Sequence, residues 1–203
     1  MGGSGFRLRS GGITVHIDPP AGTDDADIIA YTDPSETDAA LSLVGSRPFR
    51  IAGPGEYEVR GIFVIGVPLR RAQGQRRDSE GQPRPPRVGF AIEADGVAVG
   101  LLGSAAVLPS QDEVEALGHV DVLIVSVGDS CLKPDEAAEL TAQVEPSIVI
   151  PIAPHEKIEG EPTAVARFQS EMGVEGADQA ESLSVAADRL PVETKVVLLK
   201  PVA

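Results

Sequence analysis

The sequence predicts a layered α/β domain, with helices packed outside sheets that carry both parallel and antiparallel strands. Three observations lead there. Apolar, largely β-branched runs bounded by turn residues recur along the whole chain. Helix signals are fewer but carry clear starts and stops. The first half is strand-rich with antiparallel-looking pieces, whereas the second half alternates helix and strand.

The strand signals fall at Ile13 to Ile17, Ile28 to Tyr31, Ile62 to Leu69, Val88 to Glu93, Val97 to Leu102, Val122 to Val127, Ile148 to Ile152 and Lys195 to Leu199. Several are continuous apolar runs, as expected of strands buried on both faces. Asp95-Gly96 between two of them reads as a tight hairpin turn. Ser110, with Glu113 three residues on, forms a capping-box signal that opens a helix from Gln111 to Leu117. Pro134 suits the first turn of a helix running to Val144, with Ala137, Leu140 and Val144 on one face. A third helix spans Thr163 to Met172 and stops at Gly173. A weaker helix signal covers Glu36 to Val44.

With 203 residues, the chain is long enough for one sizeable core and reads as a single domain over residues 1–203. Aromatics make up 3% with no Trp, so the core is built from Val, Ile, Leu and Ala. A net charge of -14 opposes wholesale binding of nucleic acid, whose phosphates such a body repels. No apolar run reaches membrane-spanning length, and the N-terminus lacks the basic-then-apolar pattern of a secretory signal. A single cysteine, Cys131, excludes an internal disulfide and a cysteine-rich metal site, so a cytoplasmic location is the expectation.

One segment breaks the pattern. Residues 70–87, RRAQGQRRDSEGQPRPPR, hold six arginines with Pro, Gly and Gln and no apolar periodicity. They read as a long, exposed, mobile loop. Beyond a solvated excursion, the functional reading is an arm that binds anions or a partner, because guanidinium forks match phosphate and carboxylate.

Several separated pieces then line up: Gly3-Ser4-Gly5-Phe6, Val15-His16-Ile17-Asp18-Pro19, Asp25-Ala26-Asp27-Ile28-Ile29, Gly53-Pro54-Gly55-Glu56-Tyr57-Glu58, Leu101-Leu102-Gly103, Leu117-Gly118-His119-Val120-Asp121 and Ile148-Val149-Ile150-Pro151. Their order resembles the metallo-β-lactamase superfamily, in particular its small lactonase-like branch of Zn-dependent hydrolases, over roughly residues 2 to 155. The Gly-Pro-Gly-Glu-Tyr-Glu stretch is the most specific piece. The resemblance implies a four-layer αββα sandwich of two mixed β-sheets. It also implies a strand before the Gly2 to Phe6 turn, which this sequence lacks, and a metal site on loops at one edge of the sandwich.

The family supplies its first zinc ligands from a Thr-His-x-His-x-Asp-His loop. Here that loop reads Thr32-Asp33-Pro34-Ser35-Glu36-Thr37-Asp38. The Thr is kept, while Asp33, Ser35, Thr37 and Asp38 stand at the four ligand positions. A later His position falls at Arg70-Arg71. The bridging Asp is replaced by Ser104, and the final His by Ala153, with His155 two residues beyond. Zinc requires converging His, Asp or Cys groups, and this set does not supply them. The expectation is therefore a pseudo-hydrolase without cofactor: a binding or interaction module whose vestigial pocket comprises Asp33, Ser35, Thr37, Asp38, Arg71, Ser104, Ala153 and His155. Its partner is an unidentified small molecule or protein, with homo-oligomer formation a further option and no membrane.

Alternatives stay open at this point. Asp33, Glu36 and Asp38 offer oxygen ligands for a hard divalent cation; the plainer reading makes them caps of a helix start. His155 as a general base, with Ser35 or Ser104 as nucleophile, would leave an ester, lactone or phosphoester hydrolase, although no nucleophile elbow is visible. Cys131 just before Pro134 is either a small buried side chain or a thiol activated by a nearby cation and helix start. His16 and His119 have no partner at ligand spacing. Arg71 is expected to fill the emptied metal site and pair with Asp33 and Asp38.

Overall fold

In the computed structural model, residues 5–20, 25–36, 48–154 and 163–200 are described. A smaller sheet has the order β1 (Phe6–Ser10), β2 (Ile13–Ile17), β3 (Ile28–Ala30), β4 (Phe49–Ile51). β1 and β2 form an antiparallel hairpin, and β3 and β4 add in parallel. The larger sheet comprises β5 (Gly55–Val59), β6 (Ile62–Leu69), β7 (Arg87–Ala94), β8 (Val97–Leu101), β9 (Val122–Ser126), β10 (Ile148–Ile152), β11 (Asp178–Ala180) and β12 (Lys195–Leu199). Its order is β11-β12-β10-β9-β8-β7-β6-β5. The β5 to β8 meander is antiparallel, and everything beyond β8 is parallel.

Two cores follow from strand alternation. Val64 of β6, Phe90 of β7 and Ile124 of β9 face the small sheet and meet Ile17, Ile28 and Ile51. Val67 and Leu69 of β6, with Leu123 and Val125 of β9, face the helices instead. There they meet Leu117 of α1 (Gln111–Leu117), Leu140 of α2 (Pro134–Val144) and Phe168 of α3 (Ala164–Glu171). Every residue of β9 is buried, which explains its uninterrupted apolar run. The chain is thus an α/β fold of two mixed sheets. The helix signal at Glu36 to Val44 begins in a short 3-10 turn, Pro34–Glu36, and otherwise lies outside the described residues. Among the described residues no helix is long and apolar enough to cross a membrane.

The three helices start and end where their sequence signals fall. Ser110 and Glu113 make the full reciprocal capping box, and Thr163 caps α3 by accepting from the Ala166 amide. Asp95 and Gly96 both adopt positive φ, 50° and 73°, the mirror-image turn that suits a twisted hairpin. Four strands differ from expectation. Phe6 to Ser10 is itself an edge strand rather than the continuation of a turn, its alternating Phe6 and Leu8 packing on the inter-sheet core. β4, β5 and β11 are short, or mostly exposed, so their apolar patterns carry little signal.

The arginine-rich segment is mostly exposed, as expected, and carries local structure of its own. A 3-10 turn at Gln73–Gln75 leads into a small hairpin, in which the Asp78 amide donates to the Gln82 carbonyl (2.9 Å) and Arg84 to the Arg76 carbonyl (2.9 Å). Backbone pairing of Arg77 with Pro83 closes it. The segment is a folded strap between β6 and β7.

Candidate functional site

The parallel and antiparallel registers place the C-terminal ends of β6, β8, β9 and β10 and the N-terminal end of β7 at one edge of the large sheet. The loop after β3 joins them there, because the Val88 amide of β7 donates to the Thr32 carbonyl at 2.8 Å. This brings Asp33, Arg71 and Arg87 together.

Asp33 is 4% exposed and Arg71 5%, so the pair is removed from water and must satisfy itself. Arg71 grips the carboxylate with both terminal nitrogens: Nη1 donates to Oδ2 at 2.9 Å, and Nη2 donates to Oδ1. Its Nε donates to the Pro85 carbonyl at 2.6 Å, which ties the strap to the site. Ser35 donates twice to Asp33 Oδ1, from its amide at 3.0 Å and its hydroxyl at 2.6 Å. Arg87 Nη2 stands 3.4 Å from Oδ2. Burial alone would raise the Asp33 pKa, but the hydrogen bonds from Arg71 and Ser35 and the charge of Arg87 outweigh it. The carboxyl is held well below the usual carboxylate range.

The loop that carries Asp33 is fixed by the residues that carry the family resemblance. Asp18, of the Ile17-Asp18-Pro19 strand end, accepts from the Thr32 amide at 2.7 Å and from the Thr32 hydroxyl at 2.6 Å. Gly103, at φ 55°, lies so close to Thr32 that a Cβ there would overlap its side chain. In the Gly-Pro-Gly-Glu-Tyr-Glu stretch, the Tyr57 hydroxyl donates back to the Gly53 carbonyl at 3.0 Å. These motif residues are structural braces.

The remaining candidates divide. Ser104 and Arg87 both act to lower the pKa of the Cys131 thiol. Burial nevertheless dominates and pushes the thiol up, so Cys131 is a buried side chain rather than an activated nucleophile. Ala153 is half-buried after β10 and offers no ligating atom. Thr37, Asp38 and His155, and the Glu36 side chain, lie outside the described residues. Arg71 meets Asp33; its expected contact with Asp38 falls outside them too.

Two further contacts were not legible as sites. His119 Nε2 lies 2.8 Å from Asp121 Oδ1, while Asp121 Oδ2 accepts the Ala98 amide at 2.8 Å. His16 is buried in β2, its Nε2 without a hydrogen bond among the described residues but 3.9 Å from Asp25 Oδ1, and burial lowers its pKa. Arg87 escaped attention as a site residue because it closes the arginine-rich segment; only its place at the start of a strand hinted that it turns inward.

Residues 1–153 match the family model of the β-lactamase superfamily domain. The chain belongs to that superfamily. Among solved structures it is similar to a protein from Thermotoga maritima assigned to the Zn-dependent hydrolases of the metallo-β-lactamase superfamily. That likeness has 25% identity and a TM-score of 0.73, covering 97% of this chain and 94% of that one. A metallo hydrolase from the archaeon Ignicoccus hospitalis gives 15% identity and a TM-score of 0.60 over 96% and 91%. The metallo-β-lactamase fold protein YhfI from Bacillus subtilis gives 8% and 0.58 over 97% and 88%. No curated protein matches the chain.

The metal that this family implies does not fit the described residues around Asp33. Among the described residues no three His, Cys, Asp or Glu side chains converge. Asp33, the carboxylate at the heart of the site, is already engaged by a bidentate guanidinium and faces a second one. A divalent ion would have to displace Arg71 and sit beside Arg87, against two like charges.

Proposed function

We propose that the chain is a metal-independent member of the superfamily that works as a binding or interaction module. The observation that supports this reading is the Arg71–Asp33 pair: where a hydrolase of this fold needs ligands for a cation, this chain has cations of its own, tied to the Asp33 carboxylate. Both charges are desolvated, and breaking such a pair to admit a metal leaves a guanidinium buried without its partner.

The test is elemental analysis of the full chain after incubation with Zn²⁺, Mn²⁺ and Mg²⁺, followed by desalting. The expected result is less than stoichiometric metal with every ion; one tightly held ion per chain would overturn the reading. The competing reading is a hydrolase of an ester, lactone or phosphoester, favoured by the hydrolase assignment of the Thermotoga maritima protein. Turnover of such substrates that is lost in Asp38→Ala or His155→Ala would support it.

A further inference from the structure

We propose that the guanidinium cluster at the strand ends is a binding site for an oxyanion, a phosphoryl or carboxylate group, held by Arg87 beside the Asp33–Arg71 pair. The inference rests on the metal-independent reading and names the ligand class of that same site.

The first ground is charge. Among the described residues, one carboxylate faces two guanidinium groups, and Arg71 occupies both of its oxygens. Arg87 is left with a single looser contact to Asp33 at 3.4 Å. Its Nε is shut away from solvent without an acceptor among the described residues. A buried, unpartnered donor on a charged group is costly, and an unseen ion is one of the standard reasons such a group persists. The second ground is the surroundings. Among the described residues Asp33 is the one carboxylate paired with Arg87, and Arg71 already holds it. Arg87 keeps 14% of its side chain exposed, so part of it reaches solvent.

The third ground is the strap. Its six arginines are balanced by only Asp78 and Glu80, on a chain whose net charge is -14. Arg71 and Arg87 are its two ends and belong to the site, and Arg70 pairs with Glu113 at 3.2 Å. Arg76, Arg77 and Arg84 are exposed and have no carboxylate partner among the described residues. Arg76 Nε donates to the Arg71 carbonyl at 3.4 Å, which folds the strap back toward the cluster. A local positive field around an otherwise acidic body concentrates anions at that point. Guanidinium forks match the paired oxygens of a carboxylate or phosphoryl group.

Isothermal titration calorimetry on the full chain, treated with EDTA, tests this with sodium phosphate and sodium acetate in separate arms. Sodium chloride at matched ionic strength is the control. The expected result is one-to-one binding of one probe with a rise in Tm; the arm that responds tells phosphoryl from carboxylate. Arg87→Gln should weaken that binding by about tenfold or more, the loss of one charge-assisted hydrogen bond. Arg87→Lys keeps the charge without the fork and should fall between the two. Neither probe binding beyond the chloride control, or equal affinity in wild type and both Arg87 variants, would overturn the proposal. Stoichiometric zinc in the elemental analysis sinks the metal-independent reading instead, so the two failures are distinguishable.

Discussion

Arg71, from the first residues after β6, and Asp33, from the loop after β3, form a bidentate ion pair that joins the two sheets at one edge. Neither side chain is more than 6% exposed. Its net worth against a matched apolar pair is small, because desolvation offsets the Coulomb attraction. Removing one partner is a different matter. Arg71→Ala leaves the buried Asp33 carboxylate with Ser35 and the looser Arg87 contact and frees the Pro85 carbonyl, so a loss of about 3–5 kcal/mol is expected. Arg71→Lys should recover only part of it, since an ammonium cannot make the paired contact. Urea unfolding monitored by circular dichroism measures both; an unchanged midpoint in Arg71→Ala would remove the pair from any structural role.

Gly103 sets the distance between the β8 end and the Asp33 loop. Its φ of 55° strains any other residue, and a Cβ would overlap the Thr32 side chain that Asp18 holds in place. Gly103→Ala therefore combines left-handed strain with overpacking, at about 2–4 kcal/mol. The damage should be directional. Gly61→Ala, also at positive φ but with nothing near the added methyl, carries the strain alone. A thermal scan in which the two variants lose equal stability would contradict the close-contact account.

The Ser110–Glu113 capping box does two jobs. Glu113 Oε2 accepts the Ser110 amide at 2.7 Å, and its carboxylate also receives the Arg70 amide at 3.1 Å and Arg70 Nε at 3.2 Å. It therefore links the start of α1 to the start of the strap. Ser110→Ala should cost about 1 kcal/mol, the ordinary worth of an N-cap. Glu113→Ala should cost more and also expose the strap to proteolysis. Limited trypsin digestion reads this directly, because Arg76 and Arg77 are exposed cleavage sites.

How much was legible depended on whether the signal was local. β2, β6, β10 and β12 begin and end where their apolar runs do, and the helices follow their caps, because a run or a cap is complete within a few residues. β4 and β11 are three residues each, and pairing with a neighbour defines them more than their own side chains do. At the site, the positions of Asp33, Arg71 and Ser104 came from motif order. The inward turn of Arg87 did not, since an arginine at the end of a Pro-Pro run looks like solvent-facing charge until the strand register places it. Likewise, Asp18 bracing Thr32 spans 14 residues and two strands, so only the fold makes the Asp-Pro motif intelligible.

Asp33 also sets a pH dependence whose sign follows from its environment. Its carboxyl is depressed in the folded protein relative to the ordinary value of 3.8, despite burial, by Arg71, Ser35 and Arg87. The folded state thus holds its proton less tightly than the unfolded chain does. The stability this contributes is present in full above about pH 4 and drains away as the pH falls toward the folded value. Asp33→Asn removes that dependence. It should unfold more easily than wild type at pH 7, because two guanidinium groups lose their counter-charge, and the gap should narrow as the pH drops below 4. Some acid sensitivity remains in the variant, since Glu113 is also depressed by Ser110 and Arg70 against the opposing effect of burial. Urea midpoints at pH 7, 5, 4 and 3 for both proteins provide the check. A gap that widens on acidification would mean that Asp33 is not the anchored carboxylate of the cluster.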